Sequence, residues 1–276
     1  MVFVSIFSIF ISYILTSKLV PKTINLGNKL LILDKPNERK QHKKSLVRIG
    51  GLAISIGFYI SFSVGFLFIN LLNINNQEII SLILCLCSIF CLFLIGFADD
   101  IYQLSPWIRL TLQIIIASIA FNQGIYLEKL NLSFLNFDIA NIQINYFLSY
   151  LITLFWLVGI PNAINWMDGL DGLAAGITSI SSFTFLVMNM QSNLTFLALI
   201  SSCIFGSSLG FLIHNFYPAK LIMGDGGSNF LGSTLAYLGI LPLSYSYGNI
   251  PEINNLFDFY DPLLILAIPI FDMTIV

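Results

Sequence analysis

Charge is what this chain lacks. Only 9% of its 276 residues are Asp, Glu, Lys or Arg, against ~25% in an ordinary soluble domain. With 57% hydrophobic residues, too few polar side chains remain to cover a water-facing surface, and a disordered chain is excluded by the same composition. The 12 basic residues are outnumbered by 14 acidic ones, so no positive field exists to hold nucleic acid. Cysteine is sparse: Cys85, Cys87, Cys91 and Cys203 lie inside apolar runs without a His or carboxylate beside them. They predict packing, not a disulfide framework or a metal site. No Gly-Lys-Ser/Thr ending follows the glycine-rich turn at 224–228, which argues against a P-loop nucleotide triphosphatase. The first apolar run has neither a basic segment before it nor a small-residue cleavage site, so it predicts a retained anchor. What remains is an all-α, polytopic integral membrane protein, one transmembrane domain over residues 1–276.

A bilayer-crossing helix needs ~20 mostly apolar residues. Runs at roughly 2–20, 47–72, 79–97, 107–122, 146–161, 172–190, 194–214, 228–246 and 261–276 predict about nine such helices. Nine of the twelve basic residues, Lys18, Lys22, Lys29, Lys35, Arg39, Lys40, Lys43, Lys44 and Arg48, surround the first inter-helix connection. The positive-inside rule makes that connection cytoplasmic and the N-terminus external. Counting crossings then places the segments near 98–106, 162–171 and 214–227 on the cytoplasmic side, and leaves Lys129 as the single external cation. The acids sort by the same parity. Glu78, Glu128, Asp138, Glu252, Asp258 and Asp261 read as external loop charges. Asp34, Glu38, Asp99, Asp100, Asp168, Asp171, Asp225 and Asp272 gather on the cytoplasmic side among Gly, Asn and His.

Four polar clusters stand at that side. Asp99-Asp100 ends one helix, an expensive pair at a membrane boundary unless it meets a hard cation or a proton-transfer task. Arg109 is the single charge of the next helix and is available to a phosphate. The stretch 162–176 puts Asn162, Asn165, Asp168 and Asp171 within ten residues, a density that binding explains better than a plain turn. Asn165 and Asp168, like Asp168 and Asp171, share a face if the stretch is helical; if it is a turn, its glycines admit a ligand to the backbone. Gly224-Asp225-Gly226-Gly227-Ser228 looks like a phosphate-cradling turn entering a helix N-terminus. His214 before Asn215 reads as a satisfied interfacial His. In the first connection, lipid attraction accounts for the Lys and Arg residues but leaves His42 and the Arg48-x-Gly50-Gly51 helix entry without a cause.

Taken in order, these clusters resemble the polyprenyl-phosphate N-acetylhexosamine-1-phosphate transferases. The matching stretches are D-x-P-N-x-R-K-x-H…R-x-G-G, G-x-x-D-D-x-x-x-L-S-x-x-x-R-L-x-x-Q, N-A-x-N-x-x-D-G-L-D-G-L and P-A-K-x-x-M-G-D-x-G-S-x-x-L-G, spanning about residues 34–272. The Arg48-x-Gly50-Gly51 entry favours the undecaprenyl-phosphate GlcNAc-1-phosphate branch over the phospho-MurNAc-pentapeptide transferases. The resemblance implies a UDP-N-acetylhexosamine donor, undecaprenyl phosphate as acceptor, UMP as leaving group, and Mg²⁺ (or Mn²⁺) as cofactor. It implies a multi-pass protein of the bacterial inner membrane, lipid-embedded, with its active site in the cytoplasmic loops and a homodimer as a compatible assembly. Carried onto this sequence, metal ligation falls on Asp225 with Asn165 or Asp168 nearby, and Asp99, Asp100 and Asp168 are the catalytic acids. Gly169, Leu170 and Asp171 line the uridine pocket. Lys40, His42, Arg48 and Arg109 meet phosphate or sugar-phosphate oxygens, and Asn215 lies near the diphosphate.

Two departures stand out. Ile222 replaces a Phe that many relatives carry before Met-Gly-Asp, removing a ring that can stack on uracil. The family also continues past the P-x-x-D at Pro269 and Asp272 into a basic, His-bearing loop, so a chain ending at Val276 reads as truncated and inactive alone. The rival classes are a transporter, which calls for acids at mid-helix, and a non-catalytic remnant that binds lipid or protein.

Overall fold

A computed structural model describes residues 1–34, 45–69, 76–127, 129–130, 142–244 and 260–275. Its helices are α1 (Val2–Leu30), α2 (Gly51–Leu67), α3 (Asn76–Tyr102), α4 (Pro106–Asn122), α5 (Tyr146–Met167), α6 (Leu173–Gln191), α7 (Thr195–Asn215), α8 (Gly224–Ile240), α9 (Tyr260–Ile265) and α10 (Ala267–Ile275). Two minimal antiparallel pairs complete it: β1 (Leu33–Asp34) with β2 (Leu46–Val47), and β3 (Lys129–Leu130) with β4 (Ile142–Gln143). Among the described residues, five helices are long and apolar enough to cross a membrane, namely α1, α5, α6, α7 and the Ile79–Tyr102 part of α3. α2 and α4 are shorter apolar helices.

Beside an apolar core, large apolar side chains also cover the outside and small polar ones line helix contacts, unlike a water-soluble bundle. On α1, Ser8, Ser12 and Thr16 are fully buried while Phe3 is 74% exposed. Phe155 on α5 and Ile180 on α6 are 69% and 70% exposed. Small polar residues let helix backbones approach closely, and lipid tails solvate the large apolar side chains, so the usual inside-out rule is lost in a bilayer. The α1 stripe meets glycines on its neighbours: a Cβ on Gly57 of α2 would strike Thr16, and one on Gly206 of α7 would strike Ser12.

Helix starts follow local chemistry. Ser105 caps α4, its Oγ accepting from Ile108 N–H at 3.4 Å ahead of Pro106, whose fixed φ suits a first helical position. Asn145 caps α5 through a 2.7 Å bond from Leu148 N–H. α8 is the central rod, buried along nearly its whole length. Phe230 pins it edge-on to Phe58 of α2 and Phe93 of α3, with ring centroids 5.3 and 6.1 Å apart.

Several boundaries differ from the sequence expectation. The first helix continues ten residues past the expected end, so Lys22 and Lys29 ride on α1 and not in a loop. α8 begins at Gly224 and ends at Ile240, a few residues earlier than the apolar run, because its first turn is tied to other helices instead of being buried in lipid. The last run is broken at Leu266 into α9 and α10.

Candidate active site at the ends of α3, α5 and α8

The site is assembled by a short backbone ladder. Gly50 N–H donates to Ile222 C=O (3.1 Å), Ile222 N–H to Val47 C=O (2.8 Å), and Gly51 N–H to Met223 C=O (2.8 Å). This ladder brings the starts of α2 and α8 side by side. Only glycine fits there: a Cβ on Gly51 would fall on the backbone of Gly227, and one on Gly96 of α3 on the carbonyl of Asp225. Gly224 has φ +78°, and a side chain there would collide with the Arg48 carbonyl and the Asp100 carboxylate. The Arg48-x-Gly50-Gly51 motif thus has a structural cause.

Four carboxyl groups and two guanidinium groups meet at this junction. Arg48 bridges Asp100 (Nε to Oδ1, 3.0 Å) and Asp225 (Nη2 to Oδ2, 2.8 Å). Arg109 bridges Asp99 (Nη1 to Oδ2, 2.7 Å) and Asp225 (3.4 Å). Asn165 Nδ2 donates to the other Asp225 oxygen and to Ser228 Oγ, both at 2.7 Å. Asp168, the residue closing α5, faces Asp225, Asp100, Arg48 and the backbone of Gly224. Burial pushes the Asp168 carboxyl well above its ordinary range, and the charges of Asp225 and Asp100 push it further. Burial opposes the Arg48 charge, but the carboxylates of Asp225, Asp100 and Asp34 outweigh it and raise its pKa.

The adjacent acids Asp99 and Asp100 do different things. Asp100, whose side chain is 1% exposed, accepts from the backbone N–H groups of Asp225 (2.8 Å) and Gly226 (2.9 Å). The anion seated at the N-terminus of α8 is therefore a carboxylate of α3, and those N–H groups of the expected phosphate cradle are already engaged. Asp99, also buried, instead pairs with Arg109, approaches Asp225 and accepts from the Leu104 backbone N–H.

Other expected residues separate. α5 ends at Met167, so Asp168 and Asp171 do not share a helical face. Asp171 accepts from Ala219 N–H at 3.0 Å, tying the 168–172 turn to the 216–223 segment. Asn215 uses both ends of its amide to hold that pair of segments, accepting from Gly172 N–H (3.1 Å) and donating to Leu221 C=O (3.0 Å). Gly169 and Leu170 are exposed beside these residues, and Ile222 is half-buried at the edge of the ladder. His214 contacts the Ser17 carbonyl of α1 at 3.2 Å, as a satisfied interfacial His would. Lys40 and His42 lie outside the described residues. Sequence reasoning passed over Asn229; the available signal was its helical spacing of four from Asp225.

Among the described residues, no three acidic, His or Cys side chains surround one point as a metal cage. Arg48 and Arg109 stand between the carboxylates instead. The donor chemistry nevertheless fits a hard divalent cation, since the cluster is all oxygen and amide and its four carboxyl groups outnumber the two guanidinium groups.

The site is thus an acid–arginine cluster gathered at the ends of the helices of a polytopic helical domain. The model of glycosyl transferase family 4 matches residues 82–242. A probable undecaprenyl-phosphate N-acetylglucosaminyl 1-phosphate transferase of Bacillus subtilis is 35% identical over 96% of this chain and 69% of its own length. A phospho-N-acetylmuramoyl-pentapeptide-transferase of Buchnera aphidicola is 36% identical over 86% of this chain and 72% of its own. The enzyme of that name from Latilactobacillus sakei is 36% identical over 54% of this chain, which spans 48% of it. The chain belongs to glycosyl transferase family 4.

Proposed function

We propose that this chain transfers N-acetylhexosamine 1-phosphate, with GlcNAc-1-phosphate as the favoured group, from a UDP-sugar to undecaprenyl phosphate in the bacterial inner membrane. The observation that carries the reading is the convergence of Arg48, Arg109 and Asn165 on the single carboxylate of Asp225 at the start of α8. The activity named for the Bacillus subtilis relative supports it. With α9 and α10 taken as one broken span, nine crossings and an external N-terminus put Arg48, Asp99, Asp100, Asp168 and Asp225 on the cytoplasmic side, where a sugar nucleotide is met.

In this reaction an oxygen of the prenyl phosphate forms a bond to the β-phosphorus of the UDP-sugar. The bond from that phosphorus to the bridging oxygen breaks, and UMP departs with the electron pair. A phosphomonoester has a second pKa of ~6, so near neutral pH the nucleophile is already mostly dianionic and needs no obligatory base. Arg48 and Arg109 have planar forks suited to phosphoryl oxygens. Turning from Asp225 toward substrate, they hold the charge that develops there. Asp225, with Asn165 or Asp168, would hold Mg²⁺ or Mn²⁺, which when bound supplies Lewis-acid stabilisation of the phosphoryl oxygens. Asp99, paired with Arg109 beside Asp225, removes a residual proton or steadies the cation. Asp100 keeps the start of α8 in place.

The test is transfer of radiolabel from UDP-GlcNAc to undecaprenyl phosphate by the purified full-length protein, with and without EDTA. Lipid-linked label and free UMP are expected, both abolished by the chelator. Failure to label lipid from either UDP-GlcNAc or UDP-MurNAc-pentapeptide would overturn the proposal, and transfer from the pentapeptide donor alone would assign the other relatives' chemistry. Exchange of label between UMP and UDP-sugar without lipid would indicate a covalent aspartyl intermediate in place of direct attack.

A further inference from the structure

Directly behind the charged cluster lies a chain of three amides. Asn162 Nδ2 on α5 donates to Gln113 Oε1 on α4 at 2.8 Å, and Gln113 Nε2 donates to Asn229 Oδ1 on α8 at 3.2 Å. Gln113 and Asn229 are each 3% exposed. Asn162 is half-buried and also donates to the Val158 carbonyl at 2.7 Å. The Asn229 amide lies against Gly96 of α3, where an added Cβ would come within 2.7 Å of its nitrogen. The chain of amides therefore touches all four helices that carry the cluster.

Its register relative to the cluster is regular. Gln113 follows Arg109 by four residues, Asn229 follows Asp225 by four, Asn162 precedes Asn165 by three, and Gly96 precedes Asp99 by three. Each spacing is about one helical turn. Every amide thus sits one turn beneath a charged or polar residue of the site, on the side away from the helix ends. Apolar packing alone is a poor ruler, because side chains of similar volume can slide past one another at little cost. Directional hydrogen bonds in a low-dielectric interior fix both distance and rotation, and a broken one leaves a buried polar group unpaired.

We infer that Gln113, Asn162 and Asn229 are positioning residues that set the spacing of α4, α5 and α8, and so hold Arg109, Asn165 and Asp225 in reacting register. This rests on the transferase reading for its catalytic consequence but not for its structural one. A misplacement of ~1 Å at a reacting centre can cost ~10²-fold in rate, and the amides do not touch substrate. Gln113→Leu and Asn229→Leu should therefore lower kcat by about 10- to 100-fold while changing KM by less than about threefold.

The experiment uses the full-length protein in nanodiscs. Gln113→Asn shortens the reach to both Asn162 and Asn229, whereas the triple exchange with Asn162→Gln and Asn229→Gln restores the length of both links; Gln113→Asn alone should lose kcat and the triple variant should recover much of it. In parallel, nitroxide labels at the exposed positions Ile108 on α4 and Trp166 on α5 report the interhelical distance. Its distribution should broaden in Gln113→Leu and in Gln113→Asn, and narrow again in the triple exchange. An unchanged distribution and unchanged kcat in Gln113→Leu would overturn the inference, as would a Gln113→Asn variant no worse than the triple exchange. Broadened distances in a protein without transferase activity would sink the proposed function and leave the positioning role standing.

Discussion

Replacing Asp100 by Ala is expected to damage the fold more than replacing its neighbour Asp99. Asp100 accepts two backbone hydrogen bonds, 2.8 and 2.9 Å long, from the first turn of α8, and pairs with Arg48 at 3.0 Å. A hydrogen bond to a charged group contributes ~1.5–3 kcal/mol. The Arg48 side chain is 31% exposed, so its pairing is discounted to ~1 kcal/mol or less. The Ala variant should then lose about 3–7 kcal/mol, a large share of the ~5–15 kcal/mol that holds a typical domain together. Asp99 pairs with Arg109 at 2.7 Å, a cation that is 29% exposed and keeps Asp225 as a partner, and accepts one backbone hydrogen bond, from Leu104. Asp99→Ala should cost about 2–4 kcal/mol, one backbone bond fewer than Asp100 loses. Asp100→Asn should fall between, since its amide keeps one acceptor oxygen and presents an NH₂ to the second backbone donor. Surfactant-induced equilibrium unfolding of the full-length protein in mixed micelles, followed by tryptophan fluorescence, measures all three. Equal losses for the two Ala variants, or a larger loss for Asp99, would refute the assignment of Asp100 as the cap of α8.

Asp225→Asn keeps the shape of the side chain but removes the charge that Arg48 and Arg109 share; turnover should fall by two or more orders of magnitude, and wild-type rates would remove Asp225 from the chemistry. Gly96→Ala places a Cβ on the Asp225 carbonyl, so α3 and α8 must separate, at ~1–3 kcal/mol by the cost of overpacking; an unshifted unfolding midpoint would contradict the close approach. Cysteine at Gly169 should be shielded from an impermeant thiol reagent in intact cells, and cysteine at Gln123 or Gln191 should react; the reverse pattern would invert the proposed orientation.

The membrane class, the helical architecture and the family were legible from the sequence because each rests on local or summed properties. Scarce charge forces burial in lipid wherever the residues lie, and helix-length apolar runs announce themselves without tertiary information. The clustered Asp, Asn and Gly residues were legible for the same reason: polar groups are costly at a bilayer edge, so their mere presence there points to use. The partners of those groups were not legible. Arg48 and Asp225 are 177 positions apart, and nothing local says that a guanidinium before α2 will meet a carboxylate on α8. Nor could residue type distinguish Asp99 from Asp100. Helical rotation alone turns one toward Arg109 and the other onto the N–H groups of α8. Asn229 was invisible as a functional residue because its importance lies in a directional bond to Gln113, 116 positions away. Composition and periodicity decide what a segment is immersed in; only the packing of helices across the fold decides which polar atoms face one another, since hydrogen bonds and ion pairs act over ångströms in space whatever the separation along the chain.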